Sequence, residues 1–168
     1  MLSEKLLNEL RKYVDDHLGI ADFAIFEDMR CFKAPLYRCE EQDEMAEFVK
    51  NNKNPSFREM LFMYIDRLGI SDSEVHKKAG IDRRHFSKIR SNPDYHPGKN
   101  TAIALSLALG LSRKEAEKLM GAAGYTLSDS ETFDLVILFC LERKIHDIND
   151  VNLALDYFSL KPLAGVSG

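Results

Sequence analysis

Apolar residues along this chain recur at the three- and four-residue spacing that is typical of amphipathic helices. The spacing predicts helices over residues 57–68, 72–79, 83–90, 100–109, 113–123, 129–143 and 149–158. The alternation of period two that marks a strand is found only over residues 21–26, where a short strand is an option. The pattern therefore predicts an all-α protein.

Capping signals stand in front of four of these predicted helices. Ser56, Ser71, Ser112 and Ser128 are each followed three residues later by a glutamate, which gives the S-x-x-E sequence of a capping box. Glycines at positions 69, 80, 110 and 124 stand where the preceding helices are expected to end. These start and stop signals agree with the apolar spacing.

The first 55 residues have a different pattern. Residues 2–18 predict an amphipathic helix with a leucine-rich face, and residues 40–50 predict another short helix. The intervening residues 20–41 contain four aromatic side chains but no clear period. Residues 51–55 read Asn-Asn-Lys-Asn-Pro, which is a strong linker signal and separates this N-terminal extension from the rest.

Residues 71–90 predict two short helices joined by a tight turn. Val75 and Ala79 lie four residues apart on the inner face of the first helix, and Gly80 allows the chain to turn. Asp82 is a favourable N-cap for the second helix. The segment is therefore laid out as a helix-turn-helix.

The second helix of this segment has an apolar side and a basic side. Ile81 and Phe86 are spaced as a hydrophobic staple, and Phe86 and Ile89 point the same way. The opposite side carries Arg84, Ser87, Lys88 and Ser91. Such a helix presents a polar, cationic face to a partner.

This segment resembles the helix-turn-helix of the phage-repressor and xenobiotic-response-element family, the lambda-repressor-like DNA-binding domains. The resemblance extends over residues 56–124. The matching residues are Val75, Ala79, Gly80, Ile81, Ser87 and Ile89, followed by Lys99, Asn100, Thr101 and an apolar run that ends at Gly110. The resemblance implies about five helices around a small core, with the second helix of the motif in the DNA major groove.

The linker and the resemblance together divide the chain into three parts. We expect an acidic extension over residues 1–55, a helix-turn-helix domain over 56–124, and C-terminal helices over 125–168 that serve packing or dimerisation. Members of the family usually act as dimeric transcriptional repressors, because two half-sites double the contacts.

The distribution of charge is more informative than its sum. The net charge of −4 is mildly acidic, which is unusual for a dedicated nucleic-acid binder. Residues 56–100 nevertheless carry nine Lys/Arg against six Asp/Glu, and residues 76–90 alone carry six basic residues and one acid. The positive charge therefore coincides with the helix-turn-helix, and the acidic segments flank it.

Because a helix-turn-helix carries this charge, we expect duplex DNA as the partner; the same charge could also belong to a solvated helix face or to one that binds an acidic protein. A helix in the major groove needs long donors for guanine edges and short hydroxyl groups for close approach. The candidates for reading bases are Arg84, Ser87 and Lys88, with Arg83 and Ser91 at the edges of the same face. The candidates for phosphate contacts are Lys77, Lys78 and Arg90.

A protein-interaction adaptor is the alternative. The fold would be the same, but the basic helix would dock on an acidic protein and the N-terminal part would recruit another. The acidic total charge, Asp72 at the start of the first helix and the bulky His76 favour this alternative. The segment is also similar to modules that are appended to bacterial signalling or phage-defence domains.

Catalytic and metal-binding patterns are absent from the sequence. The five histidines and three cysteines lack the spacing of a zinc site, and no glycine-rich segment ends in the Lys-Ser/Thr of a phosphate loop. No pair of carboxylates stands in the apolar setting of an acid/base couple. We therefore expect a protein that is not an enzyme and uses no metal or cofactor.

The apolar runs bear on location and assembly. Residues 102–109 and 135–141 are too short to span a bilayer, and the N-terminus is not a signal peptide. Three scattered cysteines do not make a disulfide framework. We therefore expect a cytoplasmic protein with no membrane partner, in which the runs at 102–109 and 133–141 form either the core or part of a homodimer interface.

Overall fold

The computed structural model describes residues 4–18 and 41–163. Within these two ranges all regular structure is helical, which confirms the all-α prediction. The helices are α1 (Glu4–Leu18), α2 (Glu41–Asn52), α3 (Phe57–Leu68), α4 (Asp72–Lys78), α5 (Arg83–Ser91), α6 (Lys99–Ala108), α7 (Arg113–Ala122), α8 (Thr132–Glu142) and α9 (Ile148–Tyr157). The possible strand at residues 21–26 lies outside the described ranges.

Three of the four predicted capping boxes form. In each, the glutamate carboxylate accepts a hydrogen bond from the backbone N–H of its serine, at 2.8 Å before α3, 3.3 Å before α4 and 3.0 Å before α7. The box before α7 also links to α3, because Arg67 donates to Glu115 at 2.7 Å. This bond and those from Ser112 lower the pKa of Glu115 to about 2.

The fourth predicted box, between Ser128 and Glu131, does not form, so that prediction is wrong. Glu131 is itself the N-cap of α8 and makes no side-chain capping hydrogen bond. The backbone N–H of Ser128 donates instead to Asp134 at 2.8 Å. The buried carboxylate in the first turn of α8 replaces the expected glutamate, and the helix begins at Thr132.

Most of α6 and α8 is buried on all sides. Residues 102–109 and 134–141 are all buried. Helices α4, α7 and α9 pack around α6, while α1, α7 and α9 pack around α8. Both runs therefore belong to one continuous hydrophobic core, and residues 134–141 are not free to form a dimer interface.

Helix α1 covers α8 and so joins this core. Leu10 and Val14 are buried, and the ring of Tyr13 meets the ring of Phe139 edge-on, with 5.5 Å between ring centroids. Helix α1 of the N-terminal extension thus packs on a C-terminal helix. The division into three domains stays a prediction.

Helix α2 differs from α1 in its exposure. Its apolar side chains Met45, Phe48 and Val49 are 56%, 67% and 59% exposed. Helix α2 extends to Asn52, into the predicted linker at residues 51–55, and residues 53–56 have no regular structure before α3 begins. Helix α2 therefore exposes an apolar face immediately before α3 in the chain.

A buried ion pair joins the start of α6 to the start of α8. Asp134 is 1% exposed, and its Oδ2 atom accepts from Lys99 Nζ at 2.6 Å as well as from the N–H of Ser128. A buried carboxylate is stable only when it is paired and hydrogen-bonded. The pair therefore fixes how the two central helices meet.

Replacing Asp134 by Ala should lower the free energy of unfolding by about 3 kcal/mol, because Lys99 and Ser128 lose a shared acceptor in the interior. The exposed pair between Arg113 and Glu117 offers a matched control. Glu117→Ala should cost less than about 0.5 kcal/mol. Urea unfolding followed by circular dichroism measures both, and equal losses would contradict the structural role of Asp134.

Candidate nucleic-acid interface

Helices α4 and α5 are joined by a four-residue turn over residues 79–82. The turn closes with hydrogen bonds from the N–H of Gly80 to Lys77 O (3.1 Å) and from the N–H of Ile81 to His76 O (2.9 Å). Gly80 has φ of 61°, a left-handed conformation that a residue with a Cβ rarely adopts. Asp82 then caps α5, accepting from the N–H of Arg84 at 2.7 Å, as predicted.

The inner faces of the two helices belong to the core. Val75, Ala79, Phe86 and Ile89 are buried. The ring of Phe86 also meets that of Phe62 on α3 edge-on, with 6.3 Å between ring centroids. The core therefore determines which side of α5 points outward.

The outward side of α5 carries Arg84, Lys88 and Ser91, which follow each other at the spacing of one helix face. All three side chains are exposed. In the described part of the chain, neither Arg84 nor Lys88 forms an ion pair. Their charges are therefore available to an anionic partner.

A groove lies beside this face, between α4 and α5. On the α5 side, Arg83, Ser87 and Arg90 line it. Ser87 thus belongs to both surfaces, while Arg83 and Arg90 point to the groove. The α4 side contributes Asp72, Ser73, His76 and Lys77, and Phe86 completes the lining.

The structure separates the two adjacent lysines that the sequence grouped together. Lys77 lines the groove, whereas Lys78 lines a different cavity with Ile70, residues 107–110, His146 and Asp147. One residue along a helix rotates the side chain by about 100°, which accounts for the divergence. Only Lys77 shares a surface with Arg83 and Ser87.

Sequence reasoning missed two residues near the groove. Ser73 precedes Lys77 by four residues, so helical spacing alone places it on the same face. Arg58 belongs to α3, and its Nε donates to the backbone carbonyl of Arg90 at 2.8 Å. No signal in the sequence indicates that contact, since the two arginines are 32 residues apart.

The segment after α5 is tied back to this helix. Tyr95 Oη and His85 Nε2 are hydrogen-bonded at 2.6 Å, and their rings meet edge-on. Pro97 is buried, which anchors the far end of the segment before α6. The contact holds residues 92–98 beside α5.

Groups suited to catalysis or metal binding are sparse in the described residues. No cluster of three or more His, Cys, Asp or Glu side chains that could hold a metal ion occurs among them. Burial raises the pKa of the Cys140 thiol to about 12, which keeps it in the unreactive protonated form. Cys31 and Cys39 lie outside the described ranges.

No family model matches the chain, and no curated protein or solved structure gives a significant match. Within residues 4–18 and 41–163, none of the helices combines the length and apolar character needed to cross a bilayer. The geometry of the α4–α5 pair is therefore the basis for a functional proposal.

His146, beside Lys78, should make stability depend on pH. Its Nδ1 atom is buried and has no hydrogen-bond partner among the described residues, and burial followed by the charge of Lys144 lowers its pKa. Below about pH 6.5 the histidine is protonated in the unfolded chain but still neutral in the folded protein. The free energy of unfolding therefore decreases as pH falls, until the folded-state pKa is passed. Above that pH the group has no effect.

Chemical unfolding between pH 5 and 8 measures this dependence. In the variant His146→Gln, the free energy of unfolding should decrease less steeply toward acid pH. The variant His96→Gln, changed at an exposed position, should show the same decrease as the wild type. Identical acid profiles for the wild type and His146→Gln would rule out the assignment.

Proposed function

We propose that this chain is a sequence-specific regulator that binds duplex DNA, resembles transcriptional repressors and catalyses no reaction. In this proposal α3–α7, within residues 56–124, form the lambda-repressor-like domain, and α5 enters the major groove. The supporting observation is that α5 buries Phe86 and Ile89 while it exposes Arg84 and Lys88 without ion-pair partners in the described residues. No metal or cofactor takes part.

The dimensions and chemistry of α5 suit this role. The major groove is about 12 Å wide and admits one helix. Arginine pairs through two hydrogen bonds with the O6 and N7 atoms of guanine, while a serine hydroxyl allows close approach to either base type. Arg84, Ser87 and Lys88 supply these groups from adjacent turns of the helix, with Arg83 and Ser91 at its edges.

The uneven charge also favours this role. The −4 net charge opposes approach to DNA as a whole, but residues 56–100 carry an excess of three positive charges. A local basic surface attracts the phosphate backbone within about a Debye length, roughly 8 Å at physiological salt. The acidic flanks disfavour binding in other orientations.

The proposed regulator works as a cytoplasmic homodimer, since two-fold symmetry presents a recognition helix to each half-site. Residues 134–141 are interior, so the interface must use other surfaces. Helix α9 exposes Leu153 (49%) and Tyr157 (41%) four residues apart, which gives one apolar candidate.

The adaptor remains a second candidate because of α2. Its exposed Met45, Phe48 and Val49 are the kind of apolar surface that a protein partner covers. Salt-dependent gel shifts on random and genomic duplex DNA separate the two functions. A DNA-binding regulator retards the migration of the duplex at low salt and loses affinity steeply as the salt concentration rises. An adaptor does not shift the duplex.

Replacing Arg84 by Ala should weaken binding to the preferred site by about 1–3 kcal/mol and relax the preference at one base position, if Arg84 bridges a guanine. Binding assays on a selected site and its single-base variants measure both effects. Equal and negligible DNA affinity of wild type and Arg84→Ala at low salt would overturn the proposed function.

The adjacent lysines provide a matched comparison. Lys77→Ala should weaken binding evenly across sequences and reduce the salt slope by about one unit, because a phosphate contact is lost. Lys78→Ala makes the same change in charge at a residue that lines the His146 cavity, and its effect should be smaller. DNA-binding titrations at several salt concentrations give the salt slope of each variant. Equal effects of Lys77→Ala and Lys78→Ala would mean that lining the groove gives Lys77 no greater part in binding.

A further inference from the structure

The guanidinium of Arg90 is held between an acid and an aromatic ring. It forms an ion pair with Asp72 from the first turn of α4. It also lies over the ring of Phe62, at 4.8 Å from Cζ to the ring centroid. Arg58 braces the same place, because it donates to the Arg90 carbonyl and lies over the same ring at 5.9 Å.

The groove around this pair is rich in donors. Besides Arg90, it is lined by the cationic Arg83 and Lys77 and by the hydroxyl groups of Ser73 and Ser87. The lining contains one carboxylate, that of Asp72, which is bound to Arg90. Cations and hydroxyl groups in this arrangement suit a phosphate oxygen.

We propose that the groove between α4 and α5 binds a backbone phosphodiester of DNA, and that Asp72 is a built-in competitor which occupies Arg90 until the phosphate replaces it. The proposal rests on the proposed function, since it concerns the same surface. It adds a mechanism by which Asp72 weakens binding, its ion pair with Arg90, which neither the basic face nor the charge pattern predicts.

The exposure of the pair makes this exchange feasible. The side chain of Arg90 is 57% exposed and that of Asp72 is 37% exposed, so water can solvate the carboxylate once it is released. Exposed ion pairs contribute little to stability, and a phosphodiester offers the same fork-shaped contact through two oxygens that share one negative charge, as the carboxylate does. Phe62 keeps the guanidinium oriented in both states, which reduces the entropy lost on binding.

The variant Asp72→Asn tests the competition, because it removes the charge and keeps the shape. We expect its affinity for duplex DNA to rise by about threefold to tenfold with an unchanged salt slope, because the contact between Arg90 and the phosphate forms in both proteins. Phosphate contacts are independent of sequence, so a labelled random duplex in fluorescence anisotropy titrations is a sufficient probe. Asp156→Asn, at an exposed position on α9, makes the same charge change and should leave the affinity unchanged.

The Arg90→Gln background separates release of Arg90 from simple removal of a repelling charge. Adding Asp72→Asn to Arg90→Gln should give no gain, since there is no guanidinium to release. A gain of the same size in both backgrounds would overturn the proposal. Circular dichroism on each variant confirms that the helical content is kept.

Arg84→Ala distinguishes failure of this proposal from failure of the proposed function. If Arg84→Ala weakens binding while Asp72→Asn leaves it unchanged, only the competition is wrong. If neither the wild type nor Asp72→Asn binds the duplex at low salt, both proposals fall.

Discussion

The need to bury two helical runs on every side determines the architecture. A helix with one apolar stripe can lie on the surface, but residues 102–108 of α6 and 134–141 of α8 are buried on every face of the helix. Each must be surrounded, and α4, α7 and α9 enclose the first while α1, α7 and α9 enclose the second. The shared neighbours α7 and α9 then hold the two together, so that the core is continuous from the first described helix to the last. Two buried residues are polar: Ser106 donates to the backbone carbonyl of Ala102 within α6, and Asp134 pairs with Lys99, which sets the register between the two helices.

This interior acts as a platform for the candidate interface. Helix α4 packs against both α6 and α5, and the aromatic contact of Phe86 with Phe62 connects α5 to α3. Some cations elsewhere on the surface are paired with acids, as Arg67 is with Glu115 and Arg143 is with Glu9. The outward face of α5 lacks such partners in the described residues. The proposed DNA binding rests on these unpaired cations, which follow each other along one exposed face of α5, more than on the net charge.

The sequence predicted the helices well because their boundaries depend on local contacts. A serine and a glutamate three residues apart can satisfy each other wherever they stand, and Gly80 provides its turn regardless of the neighbours. The capping box at Ser128 does not form because its N–H donates to Asp134, which is paired with the distant Lys99. Local spacing contains no information about that pairing. The same reason applies to the site: the basic face of α5 follows from helical spacing, whereas the brace from Arg58 and the separation of Lys77 from Lys78 require the packed structure.

The packing of α1 on α8 has a consequence for synthesis of the chain. Tyr13 and Glu142, which are hydrogen-bonded, stand 129 residues apart in sequence. A ribosome adds about 5–20 residues per second, so α1 is synthesised several seconds before α8, the helix on which it packs. During that interval the leucine-rich face of α1 has no native partner, and closing so long a loop is slow compared with forming the local α4–α5 contacts. The nascent chain therefore exposes the apolar face of α1 to chaperones first, and its core is completed last.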